Sequence, residues 1–204
     1  MKLSRALPWI VATAVLGALA GGIAARMLAQ KPVVLQGGTW LPQPRALASF
    51  QLTDLNGRPY GNAAVTGHPS LLFFGYTSCP DVCPATLAVL REVQRQAPLA
   101  GLRYLFVSID PEHDTPATLR QYLAAFSNDI TGLYADQETL RPLLHSLSAD
   151  ATRQSLPGGD YRLSHSATLY LLDTHGRLAA VYSPPLSART LSADLRALGR
   201  SRML

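Results

Sequence analysis

Cys79 and Cys83 are the only two cysteines of the 204-residue chain. They stand four apart in LLFFGYTSCPDVCPATL, residues 71–87, directly after a run that reads as a buried strand. A thiolate attacks disulfides and binds soft metals, so the pair has three chemistries open to it: a structural disulfide, a redox couple, or part of a metal site. The junction between a strand end and a helix N-terminus is where α/β sheets collect their sites. The free N–H groups and positive dipole end of that helix stabilise anions, which predicts lowered pKa values for both thiols. Residues four apart on one helical face have Cβ atoms roughly 5–6 Å from each other, so disulfide closure and joint grip on one ion are both within reach.

A third ligand separates these outcomes, which turns attention to the five histidines. His68 and His175 sit beside turn residues, in TGHPS and DTHGR, and are expected to be solvated. His145 falls inside a helical pattern, RPLLHSLS, and reads as a packed or surface residue. His113, in DPEHDTP, lies three residues beyond Asp110 on a loop at a strand end. His165 differs: it follows a Gly-rich loop and directly precedes a strand, where it leans over the helix N-terminus if strand 166–172 neighbours strand 71–76. Pattern alone also admits a capping or surface role for it.

The elements that position these residues can be read from periodicity and turn chemistry. Asn56-Gly57, between two short strand-like runs, signals a hairpin, because both residues tolerate positive φ. The folded domain is expected to begin near residue 49 and run to 204. Residues 84–97 carry Leu87, Leu90 and Val93 on one helical face. A strand is expected over 102–110, a helix from Thr115-Pro116 to about Phe126, and another from Asp136 to about Leu147. SADATRQSLPGGDY reads as a loop, followed by a strand at about 166–172 and an antiparallel partner in THGRLAAVYS. Ser187 caps a last helix to about Leu198. Strands alternating with helices and closed by a hairpin predict an α/β fold with a mixed sheet.

Two cysteines in a chain of this length make no disulfide framework, since folds held by disulfides are usually under about 80 residues and cysteine-rich. A bridge across three residues also closes too short a loop to stabilise much. The net charge of +5 comes mostly from Lys2, Arg5 and Arg26, which flank an apolar N-terminal segment. No basic run interleaved with aromatics follows, so a nucleic-acid partner is not supported. The segment itself, Leu7 to Ala25, has about the 20 residues a membrane-crossing helix needs. A cleaved signal peptide competes, because Ala18-Leu19-Ala20 before Gly21 has the small-x-small form. Length favours an uncleaved anchor over 1–30, with 31–48 as a tether. The positive residues ahead of the apolar run predict export of the remainder, so that the protein sits in the cytoplasmic membrane with its domain in the periplasm or an equivalent space where disulfides form.

Three stretches, FFGYTSCPDVCPATL, VSIDPEHDTP and YRLSHSATLYLLD, closely resemble, in order, the signature stretches of the Sco/SenC family, membrane-tethered thioredoxin-like proteins of cytochrome c oxidase assembly. The likeness runs from about Phe50 to the C-terminus. It implies a thioredoxin-like domain in which Cys79, Cys83 and His165 bind one copper ion, with Asp110 nearby tuning the site and Asp81 shaping the loop between the cysteines. The family pattern carries histidine where this chain has Ser78, a departure expected to affect affinity or docking at most. The implied partner is cytochrome c oxidase subunit II, served either by copper delivery to its dinuclear centre or by thiol-disulfide reduction of its cysteines through Cys79 and Cys83. An upstream copper donor or thiol reductant is implied as well. Soft thiolates with imidazole suit Cu(I), and three ligands leave a side open for hand-over.

Overall fold

The computed structural model describes residues 15–18, 21–22, 34–96, 99–155, 161–165, 167–201 and 204. The chain divides into two units, Met1–Val33 and Val34–Leu204. In the first, residues 15–18 and 21–22 are helical; the remainder of the expected anchor lies outside the described residues. Among the described residues, no helix is long and apolar enough to cross a membrane.

The second unit runs β1 (Thr39–Arg45), β2 (Gln51–Asp54), β3 (Pro59–Gly61), β4 (Ser70–Gly75), α1 (Val82–Arg95), β5 (Arg103–Ser108), α2 (Pro116–Ala124), β6 (Ile130–Tyr134), α3 (Gln137–Leu147), β7 (Ala151–Ser155), β8 (Tyr161–His165), β9 (Leu169–Leu172), β10 (Leu178–Tyr182) and α4 (Ala188–Ser201). Eight strands form one sheet in the order β1-β10-β9-β4-β5-β6-β2-β3, while β7 and β8 form a separate ribbon. Strands β4, β5 and β6 are parallel and are linked through α1 and α2. Strand β9 lies antiparallel between β4 and β10. The mixed sheet expected from the sequence is present, including the neighbouring of β4 and β9.

All six residues of β4 are buried, which requires cover on both faces of the sheet at its centre. Phe73 of β4 and Phe106 of β5 pack edge to face with ring centres 5.9 Å apart, both fully buried. Helix α1 buries Leu87, Leu90 and Val93, the stripe its sequence spacing predicts, and packs against α4. Local chemistry sets the element ends. Gly57 takes φ 78° in the β2–β3 turn, and the Asp54 carboxylate accepts from Asn56 N and Arg58 N at 2.8 and 2.9 Å. Thr115 caps α2 by accepting from Thr118 N at 3.2 Å, with Pro116 in the first position, and Asp136 caps α3 by accepting from Thr139 N at 2.7 Å.

Three features depart from the sequence expectation. The segment 31–48, expected to be a tether, contributes edge strand β1, paired antiparallel with β10. Pro42 and Pro44 hide it in the sequence, because proline fits a sheet only at an edge or bulge. The stretch is fastened further where Gln36 N and Gly37 N donate to the buried Asp194 carboxylate at 2.8 and 2.9 Å. Strand β6 was not expected at all, and residues 151–155 of the expected loop 148–161 are the ribbon strand β7, paired with β8.

A chain starting at residue 49 should therefore unfold at lower urea concentration than one starting at 34. It loses β1 and leaves the Asp194 carboxylate without its two backbone donors, a loss of about 1–3 kcal/mol from that group alone. Equal midpoints would show that β1 adds nothing to the fold.

Candidate metal centre

Strand β4 ends at Gly75, and the chain turns through Tyr76–Asp81 into α1. Cys79 N donates to Tyr76 O at 3.3 Å within this turn. Helix α1 starts at Val82, two residues earlier than expected, which places Cys83 inside the first turn and not just ahead of it. Pro84 is tolerated there because the first four helical N–H groups have no intrahelical acceptor. Cys83 is fully buried and Cys79 is 7% exposed. A Cβ at position 75 would stand 3.0 Å from Cys83 Sγ and 2.7 Å from Phe106 Cε2, so only glycine lets the sulfur settle against the strand end.

The cysteine turn is held by Asp114. Its buried carboxylate accepts from Thr77 N at 3.2 Å, Thr77 Oγ1 at 2.5 Å and Ser108 Oγ at 2.6 Å. Burial raises the Asp114 pKa while those donors oppose the rise. Both thiols were expected to have lowered pKa values, and for Cys83 the opposite holds. Burial pushes the Cys83 thiol far above its ordinary value, and the neighbouring Cys79 and Asp114 add to the rise against the opposing backbone of Tyr76. Loss of water around a fully enclosed sulfur outweighs the favourable field of the helix N-terminus.

The imidazole comes from the ribbon. His165 is the last residue of β8, and its Nε2 lies 3.2 Å from Cys83 Sγ across 82 residues of sequence. The ring stands edge-on to Phe73 and Tyr76, with centres 5.9 and 5.7 Å apart. Burial pushes the Tyr76 phenol up to about 12, so the ring wall beside His165 is neutral near pH 7. The ligand atoms of Cys79, Cys83 and His165 all lie within 4.8 Å of one another, the one such group of histidine, cysteine and acidic side chains among the described residues. Bonds of about 2.0–2.3 Å from nitrogen and sulfur place the ligands of a shared ion roughly 3.5–4 Å apart, so closing this group on one ion takes shifts of about 1 Å. The donor set of two sulfurs and one imidazole fits a soft ion. Its outer side opens into a cavity of about 190 Å³ bordered by Asp81, Val82 and Arg162, so a fourth donor can enter from outside.

The remaining residues singled out from sequence lie elsewhere. His68, His145 and His175 are exposed. Ser78 is exposed, and Asp81 is the residue from which α1 starts. Asp110 is buried, and its carboxylate partners are His113 Nδ1 at 3.1 Å and the Tyr161 hydroxyl, not the cysteines. Asp114 and Tyr161 went unnoticed in the sequence. The nearest signal for Asp114 was its place in the same SIDPEHD run as Asp110, and for Tyr161 its place at the head of the YRLSHSATLYLLD stretch.

Fold and site together define a thioredoxin-like domain with a cysteine pair at the strand-to-helix junction and a distant histidine completing a three-donor site. The chain belongs to the SCO1/SenC family, whose model matches residues 41–200. It is 30% identical over 152 residues to an SCO2-like protein of Rickettsia felis, covering 72% of this chain and 74% of that one. Bradyrhizobium japonicum ScoI, solved with copper bound, matches with TM-score 0.67 and 36% identity over 74% of this chain and 99% of its own. Yeast Sco1 with copper bound matches with TM-score 0.70 and 28% identity, covering 78% and 90%.

The burial difference predicts unequal reactivity in the reduced, metal-free protein. Iodoacetamide should label Cys79 first and Cys83 at least about tenfold more slowly, with the Cys83 rate still climbing above pH 9, because its thiol holds its proton. Site-resolved mass spectrometry reads both rates, and equal labelling at neutral pH would contradict the described burial.

Proposed function

We propose that this chain is an exported, membrane-tethered copper chaperone that delivers the ion to the dinuclear centre of cytochrome c oxidase subunit II during assembly of the oxidase. The grouping of Cys79, Cys83 and His165 within 4.8 Å carries this reading. Copper is bound in related proteins of the same fold, and family membership supports the role in oxidase assembly. The ion is cargo. Two thiolates and an imidazole hold it on three sides, while the open cavity admits a donor from the acceptor protein, so the ion can pass by ligand exchange without ever being free. The positive residues ahead of the N-terminal apolar segment support export of the domain and retention at the membrane.

A second reading rests on the two free cysteines, whose sulfurs lie within 4.8 Å. As a dithiol they would reduce the disulfide of subunit II to two thiols and become a Cys79–Cys83 disulfide themselves. Mixing the reduced, metal-free protein with oxidised subunit II domain decides this; absence of exchange eliminates it.

Titrating the reduced full chain with Cu(II) should give a sulfur-to-copper charge-transfer band that saturates at one equivalent, and no binding would sink the chaperone reading. His165→Ala should weaken copper affinity by orders of magnitude while leaving the Cys79–Cys83 midpoint potential nearly unchanged. Affinity should also fall as pH falls. Since the raised Cys83 pKa keeps that thiol protonated through the neutral range, copper must displace its proton, and this ligand alone contributes about a tenfold loss per pH unit. A pH-independent affinity between 6 and 8 would exclude Cys83 as a ligand.

A further inference from the structure

Among the described residues, the ribbon that delivers His165 has no strand partner in the main sheet. A two-stranded ribbon alone is marginal in water, so its side chains must fix its place. Successive residues of a strand point to opposite faces, and Tyr161, Leu163 and His165 share the face turned inward. Leu163 is buried, and Arg162 and Ser164 on the opposite face are exposed. At one end of this face His165 meets Cys83. At the other, roughly 13 Å away at 3.3 Å per residue, the Tyr161 hydroxyl donates to the buried Asp110 carboxylate.

That contact is reinforced on every side. Tyr161 also meets His113 Nδ1 at 2.7 Å, and His113 in turn reaches Asp110 at 3.1 Å. The Arg153 guanidinium, from the facing strand β7, lies 3.6 Å over the Tyr161 ring and pairs with Glu112 at 2.5 Å. Burial and the hydrogen bond to Asp110 hold the phenol proton well above its ordinary value, so Tyr161 remains a donor. Asp110 and Asp114 belong to one turn, closed by Asp114 N donating to Asp110 O at 2.9 Å. Through Asp114 this turn holds Thr77 of the cysteine segment; through Asp110 it holds the ribbon.

We propose that Tyr161, clasped to Asp110, is a positioning residue for His165: it sets the ribbon on the same turn that holds the cysteine segment, and so brings the imidazole into register with the two sulfurs. The proposal rests on the copper-site reading for its first test and is independent of it for the second. Outer groups that orient metal ligands typically change affinity 10- to 100-fold, so Tyr161→Phe should lower copper affinity about tenfold in competition with a chelator of known affinity. The same change in a His165→Ala background should have almost no effect, because Tyr161 acts only through His165. An equal loss in both backgrounds, or no loss in the first, overturns the proposal. In the metal-free protein, hydrogen exchange of the β7–β8 amides should quicken about tenfold on Tyr161→Phe while β4 and β5 amides keep their rates. Unchanged ribbon exchange also overturns it. Should Tyr161→Phe lose its cooperative melting transition, Asp110→Ala, which removes the acceptor of the Tyr161 hydroxyl, is read by the same two criteria. A wild-type protein that binds no copper refutes the copper reading, and the exchange comparison still decides the clasp.

Discussion

The 3.2 Å approach of His165 Nε2 to Cys83 Sγ joins two parts of the chain that share no local structure. One is the first turn of α1, held by the strand it follows; the other is the end of a ribbon outside the main sheet. For the two to meet, β9 must lie antiparallel beside β4, so that the chain entering β9 arrives at the same edge where it leaves β4. The sheet order thus creates the site, and the buried β4 at its centre gives it a rigid floor. Phe73 serves both tasks, packing edge to face on Phe106 within the core and on the His165 ring at the surface.

Burial is uneven across the three donors. Cys83 is enclosed, with its sulfur set against the bare backbone of Gly75, and its thiol is held in the protonated form by burial. Metal binding there exchanges a proton for the ion, which couples affinity to pH. Cys79 and His165 lie at the open cavity. On the delivery reading proposed above, an acceptor would meet these two donors first and the enclosed sulfur last, so the ion would pass stepwise to the incoming ligand.

Much of this was legible in the sequence, and the reasons differ by element. Strands β4 and β5 announce themselves as apolar runs, whereas β6 with its central Gly132 does not, and turn chemistry at Asn56-Gly57, Thr115-Pro116 and Asp136 marks element ends with little competition from tertiary packing. The cysteine pair and His165 were found through type, spacing and the family likeness. What sequence does not carry is partnership at a distance. Strand β1 is masked by its prolines, and β7, with four of its five residues exposed, has no apolar alternation to reveal it. The lowered thiol pKa failed for Cys83 because the helix dipole is a local property whereas burial is a global one. Asp110 was expected near the site as a tuning group; the partners of its carboxylate, Tyr161 and His113, are what sequence could not supply.

On the copper-site reading, one ion is shared by two sulfurs and one imidazole drawn from Cys79, Cys83 and His165. X-ray absorption spectroscopy at the copper edge tests it most directly, since it counts donors by element. The protein loaded with one equivalent of Cu(I) should show two sulfur scatterers and the outer-shell pattern of a single imidazole. A copper ion with two sulfurs and no imidazole, or with sulfurs shared between two chains, would exclude the shared three-donor site.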